Sequence, residues 1–152
     1  VDDLHYHPAD LFETLSRYRD PREFMEDEPI FDMLKNAYRD DLYRAEGVDP
    51  EMRNEKCAIF VLPDAAWSRR VSGPFCNELA RRHPARANAV LVRKEGGYLV
   101  SVRAAQAKPL GADELCQRFA SGGGRRGAAG INYLPESELD RFVPDFQRQF
   151  SS

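Results

Sequence analysis

The chain has 152 residues, of which 42% are hydrophobic and 31% charged, and its formal net charge is −3. A chain of this length buries roughly 70% of the surface that it would expose when unfolded, so a folded domain is expected. Ten glycines, ten prolines and an aromatic content of 11% exclude collagen-like, low-complexity and disordered classes.

No membrane segment is visible in the sequence. Its longest uncharged apolar run, residues 57–63, is too short to span a bilayer, and no basic-then-apolar leader is visible. The three cysteines, Cys57, Cys76 and Cys116, are far apart and odd in number. They predict reduced, buried thiols in a cytoplasmic protein without a membrane partner.

Charge is divided unevenly along the chain. Residues 1–56 carry 16 acidic and 8 basic side chains, a net −8, whereas residues 57–152 carry 9 acidic and 14 basic ones, a net +5. Twelve of those fourteen cations are Arg, whose planar guanidinium binds phosphate and carboxylate groups through two parallel hydrogen bonds. The second part is therefore expected either to bind an anionic ligand or to present a solvated basic surface.

Residues 1–56 are predicted to form an acidic helical linker segment. Prolines at 8, 21 and 29 interrupt it, and its apolar residues recur at helical spacing until Gly47 and Pro50. Such amphipathic helices do not bury their apolar faces alone. They are expected to pack on the basic part, on a second copy to form a homodimer, or on another domain. Residues 49–56 are predicted to be a polar linker.

Residues 57–152 are predicted to form one α/β (α+β) domain with a mixed central sheet of about four to five strands flanked by helices. The pattern changes from continuous apolar runs to helical spacing several times along this part. In chain order, the elements are a strand at 58–62, a helix from Ser72, a hairpin of 89–92 with 98–102, a short helix near Leu115, a strand at 128–133 and a helix over 139–150.

The segment Ser121 to Gly130 is the most unusual stretch. Gly122, Gly123 and Gly124 remove every Cβ from a predicted loop, so backbone amides can approach a ligand, and Arg125 and Arg126 follow directly. This combination predicts an anion cradle, with a flexible solvated turn as the alternative. The segment also matches the G-x-G-x-x-G pattern of dinucleotide sites, but the predicted helix precedes the glycines instead of following them. A dinucleotide or coenzyme A site is therefore the less favoured interpretation.

Three other features, on the predicted helix or just before it, are weaker candidates for ligand binding. Arg69 and Arg70 precede Ser72, where free backbone amides favour an anion, although a plain surface pair is the favoured explanation. Asn77 and Glu78 face either a cleft or solvent, and Trp67 either stacks on a base or packs in the core.

Two motifs resemble a known family. Ser101-Val102-Arg103 at the end of a hairpin, followed by a short helix and then the three glycines, resembles the C-terminal substrate-binding domain of the DHH phosphoesterases, the RecJ-like and nano-RNase-like group. The resemblance implies that Ser101, Arg103, Gly122, Gly123, Gly124, Arg125 and Arg126 bind substrate. It also implies a separate catalytic DHH domain that uses Mn²⁺ to hydrolyse phosphodiester or phosphoanhydride bonds.

The sequence departs from that family in two ways. Arg125 stands where the family has His, so a role that needs a titrating imidazole is not expected, whereas phosphate binding by a guanidinium is. The chain also has no Asp-His-His motif. The one concentration of residue types that bind metals lies near the terminus and consists of His5 and His7 with Asp2 and Asp3. No catalytic or metal-binding residue and no resident cofactor is therefore predicted here, and Mn²⁺ is assigned to the absent domain.

The sequence thus predicts a substrate-binding domain for a nucleotide, a short single-stranded nucleic acid or a polyphosphate. It is expected to be inactive alone and to work with a catalytic DHH domain. A stand-alone module that binds single-stranded nucleic acid is the alternative.

Overall fold

The computed structural model describes residues 2–151. Six α-helices and one short 3-10 helix (Glu136–Glu138) surround one sheet. The helices are α1 (Pro8–Leu15), α2 (Pro21–Asp27), α3 (Pro29–Glu46), α4 (Ala66–Arg82), α5 (Ala112–Cys116) and α6 (Leu139–Phe150).

The sheet has six strands in the order β1-β2-β3-β4-β6-β5. They are β1 (Met52–Arg53), β2 (Cys57–Leu62), β3 (Ala87–Lys94), β4 (Gly97–Arg103), β5 (Gly122–Arg125) and β6 (Ala128–Pro135). Only β2 and β3 are parallel, because α4 connects them as a crossover helix, and every other pair is antiparallel. The mixed α/β architecture is confirmed, with slightly more strands than the predicted four to five.

Each face of the sheet has its own apolar core. On one face, Phe60, Val90 and Phe75 belong to a cluster beneath α4. On the other face, α5 and α6 pack against β3, β4 and β6, and Phe142 and Phe146 are fully buried there. Successive side chains of the central strands point to opposite faces, so each strand contributes to both cores.

Three local predictions were wrong in their boundaries. The polar stretch 49–56 contains strand β1, in which Met52 pairs with Ile59 and covers the edge of β2. Helix α4 begins at Ala66 rather than at Ser72, because Ser68 and Val71 already face the sheet one turn earlier. The three glycines form strand β5 instead of a loop, since they pair with β6 along their whole length.

The acidic helices contact the sheet domain through α3. Ala45 at its end is fully buried in the α4 core, and Arg70 of α4 binds Asp41 of α3. Seven large apolar side chains in the described part of this region are exposed, most of all Phe12 at 73% and Tyr43 at 79%. Both the division at residue 56 and homodimer formation through these helices remain predictions.

The predicted burial of the cysteines is confirmed, and all three thiols are free, whereas the cytoplasmic location remains a prediction. None of the helices within residues 2–151 combines the length and apolar character that a membrane crossing requires.

Candidate functional site

Arg103 and Arg125 lie abreast on one face of the sheet. Ala128 of β6 is the register partner of Arg103 on β4 and also of Arg125 on β5. Directly opposed residues of antiparallel strands point to the same face, so both guanidinium groups rise from the side of the sheet that carries α4. Two residues predicted to bind one ligand therefore belong to one row, with a single small residue between them.

The sheet floor beside this row is open. In the next row, Gly130 of β6 pairs with Ser101 on one side and with Gly123 on the other. A Cβ built on Gly123 would meet nothing within 4 Å, and one on Gly130 would meet only the backbone of Val100. Helix α4 thus covers β2 to β4 but leaves the same face of β6 and β5 exposed.

Two of the three consecutive glycines of β5 are sterically required, and the third leaves the floor open. A Cβ on Gly122 would lie 1.8 Å from the carbonyl oxygen of Cys116 in α5, so the strand can approach that helix only without a side chain. Gly123 faces the open floor. Gly124 has a φ of +143°, where other residues are strained, and its Cβ would lie 2.4 Å from the Cα of Ala129.

Asn77 of α4 orients Arg103. Its Oδ1 accepts a hydrogen bond of 2.6 Å from Arg103 Nε, while Arg103 Nη1 donates to the carbonyl of Val102 at 2.9 Å. Arg103 Nη2 lies beside Gly73, whose missing side chain leaves room for the guanidinium. The head group of Arg103 is therefore fixed at the boundary between α4 and the open floor.

A cleft of about 300 Å³ opens beside Arg103. Its walls come from the C-terminal half of α4, the segment after β4 and the turn between β5 and β6. They include Asn77, Gln106, Pro109, Gly127 and Ala128. The cleft continues the open floor and has room for a small polar group next to the guanidinium.

The turn between β5 and β6 is anchored on both sides. The carbonyl of Arg126 accepts from the amide of Ala112 at 2.9 Å, and the carbonyl of Gly127 accepts from the amide of Ala104 at 3.0 Å. The side chains of Arg125 and Arg126 are exposed. The backbone that carries these cations is thus held in place while their head groups remain free to meet solvent or a ligand.

Ser101 lies half-buried in the row of Gly130, and a buried thiol lies beneath it. Cys76 Sγ is 3.6 Å from the carbonyl of Ser101 and 3.4 Å from that of Asn88. Burial raises the pKa of Cys76 to about 12, so this thiol is neutral and has a packing role.

Neither a protein-family profile nor the sequence of a characterised protein matches the chain, but solved structures do. The pGpG-specific phosphodiesterase PggH from Vibrio cholerae superposes with a TM-score of 0.61 at 10% identity, over 96% of this chain and 52% of PggH. RecJ from Thermus thermophilus, solved with Mg²⁺, superposes with a TM-score of 0.59 at 18% identity, over 90% of this chain and 22% of RecJ. The chain has a fold found in DHH-family phosphoesterases.

A similar fold occurs in a domain of an aminoacyl-tRNA synthetase. The C-Ala domain of alanyl-tRNA synthetase from Aquifex aeolicus superposes with a TM-score of 0.52 at 13% identity, over 68% of this chain and 99% of that domain. The chain spans about half of PggH and less of RecJ, whereas it contains a counterpart of nearly the whole C-Ala domain.

The Mn²⁺ that the sequence resemblance implies does not fit the described residues. Within residues 2–151, no group of three or more His, Cys, Asp or Glu side chains lies together so that it could hold a metal ion. The residues near the terminus have other partners, because Asp3 binds Arg69 and His5 binds Asp41. We therefore assign Mn²⁺ no role at these residues.

Two of the weaker candidates have partners within the fold. Arg70 binds Asp41 through Nε and Nη2, at 2.8 and 3.1 Å, and Arg69 binds both Asp3 and Asp64. Trp67 packs partly buried against the α4 core, as the core interpretation predicted.

Sequence reasoning missed Asn88 altogether. Asn88 of β3 is the register partner of Arg103, is completely buried, and its Oδ1 has no hydrogen-bond partner within the described part of the chain. A polar residue inside the apolar run 87–92 was the available signal. Its position extends the row of Arg103, Ala128 and Arg125 into the core beneath α4.

Proposed function

We propose that this chain is the substrate-binding part of a DHH-type phosphoesterase, which holds the phosphate-bearing end of a nucleotide or short single-stranded nucleic acid. The ligand would lie on the open floor of β6 and β5. Arg103 and Arg125 would bind phosphate oxygens, with Arg126 and Ser101 at the margins of the site.

The row formed by Arg103, Ala128 and Arg125 carries this proposal. Adjacent strands are about 4.8 Å apart, so the two arginine Cα atoms are roughly 10 Å apart across β6. Arginine side chains are long enough to converge over a gap of that size on one phosphate or on two neighbouring ones. Ala128 between them leaves the space free.

The glycine floor supports the same interpretation. Ser101, Gly123 and Gly130 place no large side chain on the face next to the arginines, so a ligand can lie against backbone. Guanidinium–phosphate pairs are charge-assisted and bidentate, and they strengthen where part of the water is excluded. The wall of α4 on one side of this floor provides that partial exclusion.

Catalysis would take place on a separate domain. The neighbouring phosphodiesterase structure is about twice the length that this chain covers. The role proposed for this chain is to orient the phosphate group, and orientation alone contributes several kcal/mol to lowering a barrier.

A stand-alone module for single-stranded nucleic acid is the second candidate. The nearly complete overlap with the C-Ala domain of an enzyme named for tRNA aminoacylation favours it. The two candidates differ in ligand length. A half-cleft would bind one or two nucleotides and gain little from longer strands, whereas a stand-alone module would bind more tightly with each phosphate added.

Fluorescence anisotropy with 5′-phosphorylated oligonucleotides of two to ten nucleotides tests the proposal. We expect Arg103→Ala and Arg125→Ala to weaken binding of the dinucleotide roughly 10- to 100-fold, the cost of losing a hydrogen bond to a charged group. Arg53→Ala on β1, at the opposite edge of the sheet, removes the same charge and is the control.

Equal losses in all three variants would show only a general charge effect and would contradict the proposed site. Binding that depends on Arg103 but rises steeply with length would favour the stand-alone module.

A further inference from the structure

The candidate site continues along α4 toward Arg69. Residues four apart in a helix lie on one face, so Arg69, Gly73 and Asn77 form one line on α4. Asn77 accepts a hydrogen bond from Arg103, and a Cβ at Gly73 would stand 4.0 Å from Arg103 Nη2. The line therefore borders the open floor, and Arg69 occupies its far end.

The distances match an extended anionic ligand. Eight residues of helix separate Arg69 from Asn77, which is about 12 Å along the axis. On the opposite side of the floor, β5 runs back from Arg125 through Gly123 to exposed Ser121, about 13 Å of strand. A single strand stacked at about 3.4 Å per nucleotide would reach from Arg103 to Arg69 in three to four nucleotides.

In this structure Asp3 pairs with the Nε and Nη2 edge of the Arg69 guanidinium. Its two carboxylate oxygens accept from Arg69 Nε at 2.8 Å and from Nη2 at 2.9 Å, the paired geometry that a phosphate would also use. Asp64 binds the remaining group, Nη1, at 2.5 Å. Arg70 Nη1 donates to the backbone carbonyl of Asp3 at 2.6 Å and holds residues 2–7, which we call the strap, against α4.

This contact is open to a competing anion. The side chains of Asp3 and Arg69 are 40% and 31% exposed, so solvent and a ligand reach the ion pair. A phosphate carries the same charge as the carboxylate and offers the same pair of oxygens. Competition between the two for one guanidinium edge therefore does not require the domain to unfold.

We infer that Arg69 is a second phosphate subsite at the far end of the candidate site, and that the strap of residues 2–7 blocks it by placing the Asp3 carboxylate where the phosphate of a longer strand would bind. This inference rests on the proposed function, because the first phosphate is held at Arg103 and Arg125. The strap therefore makes affinity depend on the length of the ligand. Ligands of one or two nucleotides bind without displacing it, and longer strands must compete with Asp3.

The test compares a 5′-phosphorylated dinucleotide with a hexanucleotide on the full chain. Asp3→Asn is expected to leave dinucleotide affinity unchanged and to raise hexanucleotide affinity about 5- to 10-fold. The slope of log K against log salt for the hexanucleotide should steepen by about 0.7, the value for one more phosphate contact on a single strand. Asp2→Asn, the same charge change at the exposed neighbour, is the matched control.

Arg69→Gln in the Asp3→Asn background should abolish both the gain and the change in slope. A hexanucleotide affinity that does not respond to Asp3→Asn, a gain that survives Arg69→Gln, or an equal gain from Asp2→Asn would overturn the inference. Dinucleotide binding that depends on Arg103 would leave the proposed function standing in each of those cases. Dinucleotide binding that ignores Arg103 and Arg125 would remove the proposed function itself, and this inference with it.

Discussion

Asn77 Oδ1 accepts a hydrogen bond of 2.6 Å from Nε of Arg103, across 26 residues of sequence. This bond joins the crossover helix to the end of β4 and directs the guanidinium toward the floor of β6 and β5. In the proposed site Asn77 is a positioning residue, since it would act on a ligand only through Arg103. The predictions below follow from this arrangement and from the packing around it.

Asn77→Ala should weaken dinucleotide binding about 3- to 10-fold, less than Arg103→Ala, because the guanidinium remains present but loses its orientation. In the Arg103→Ala background, Asn77→Ala should have no further effect, since the residue through which it acts is gone. Anisotropy titrations of the two single variants and the double variant complete the cycle. Additive losses would show that Asn77 contacts the ligand independently.

Gly123→Ala and Gly122→Ala should separate binding from stability. A methyl group at 123 meets nothing within 4 Å, so the variant should unfold at the wild-type temperature yet bind phosphate ligands less tightly, because the methyl stands on the floor. A methyl at 122 would lie 1.8 Å from a backbone oxygen, so that variant should lose about 1–3 kcal/mol, the usual cost of overpacking. Thermal unfolding and anisotropy on both variants check this. Wild-type binding by Gly123→Ala would argue against the floor.

Stability should depend on Asp41 in a pH range set by its carboxyl group. Burial disfavours its charge, but hydrogen bonds from Arg70 and His5 outweigh burial and hold its pKa below the usual 3.8. Because this pKa is lower in the folded than in the unfolded chain, the ionised carboxylate stabilises the fold above about pH 3.8. This contribution is lost as the pH falls through the lower pKa of the folded state. Asp41→Asn should therefore cost about 1–3 kcal/mol at pH 7 and progressively less below pH 4.

Urea unfolding of the wild type and of Asp41→Asn at pH 7 and pH 3 measures this difference. Asp40→Asn, at an exposed neighbour, is the control for charge. A constant difference between wild type and Asp41→Asn at both pH values would contradict the assignment.

The cysteines should react slowly in the native protein. Burial raises the pKa of both Cys76 and Cys116 to about 12, so almost no thiolate is present at pH 8. We expect labelling by a thiol reagent to be slow in buffer and rapid in 6 M guanidinium, with all three thiols counted after unfolding. Rapid native labelling of Cys76 would show that the core beneath Ser101 opens readily.

The 152-residue chain should show no phosphodiester hydrolysis with Mn²⁺. Its described residues offer no cluster of ligands for that ion, and the arginine row supplies binding groups without a nucleophile. Release of a labelled nucleotide from a short oligonucleotide measures this directly. Turnover by the purified chain that is lost with a chelator would contradict the assignment of catalysis to a separate domain.

Much of the fold could be predicted because its signals are local. The apolar run of β2 and the hairpin of β3 and β4 lie where their patterns indicated. The failures also have local causes. Residues 122–124 carry no side chain to alternate between faces, so the pattern that identifies a strand is absent from β5, and β1 is only two residues long. Both strands exist because neighbouring strands pair with them.

The composition of the site was readable from the sequence, whereas its geometry was not. Glycines followed by arginines, and an arginine at the end of a hairpin, predict phosphate binding. The capacity of these groups to form hydrogen bonds with phosphate does not depend on where they lie in the fold. The placement of Arg103 and Arg125 on either side of Ala128 depends on the register of three strands. The capture of Arg69 by Asp3 joins positions 66 residues apart. Contacts of that separation form only when the whole chain packs, so the tertiary structure alone decided which cations face the open floor and which are already neutralised.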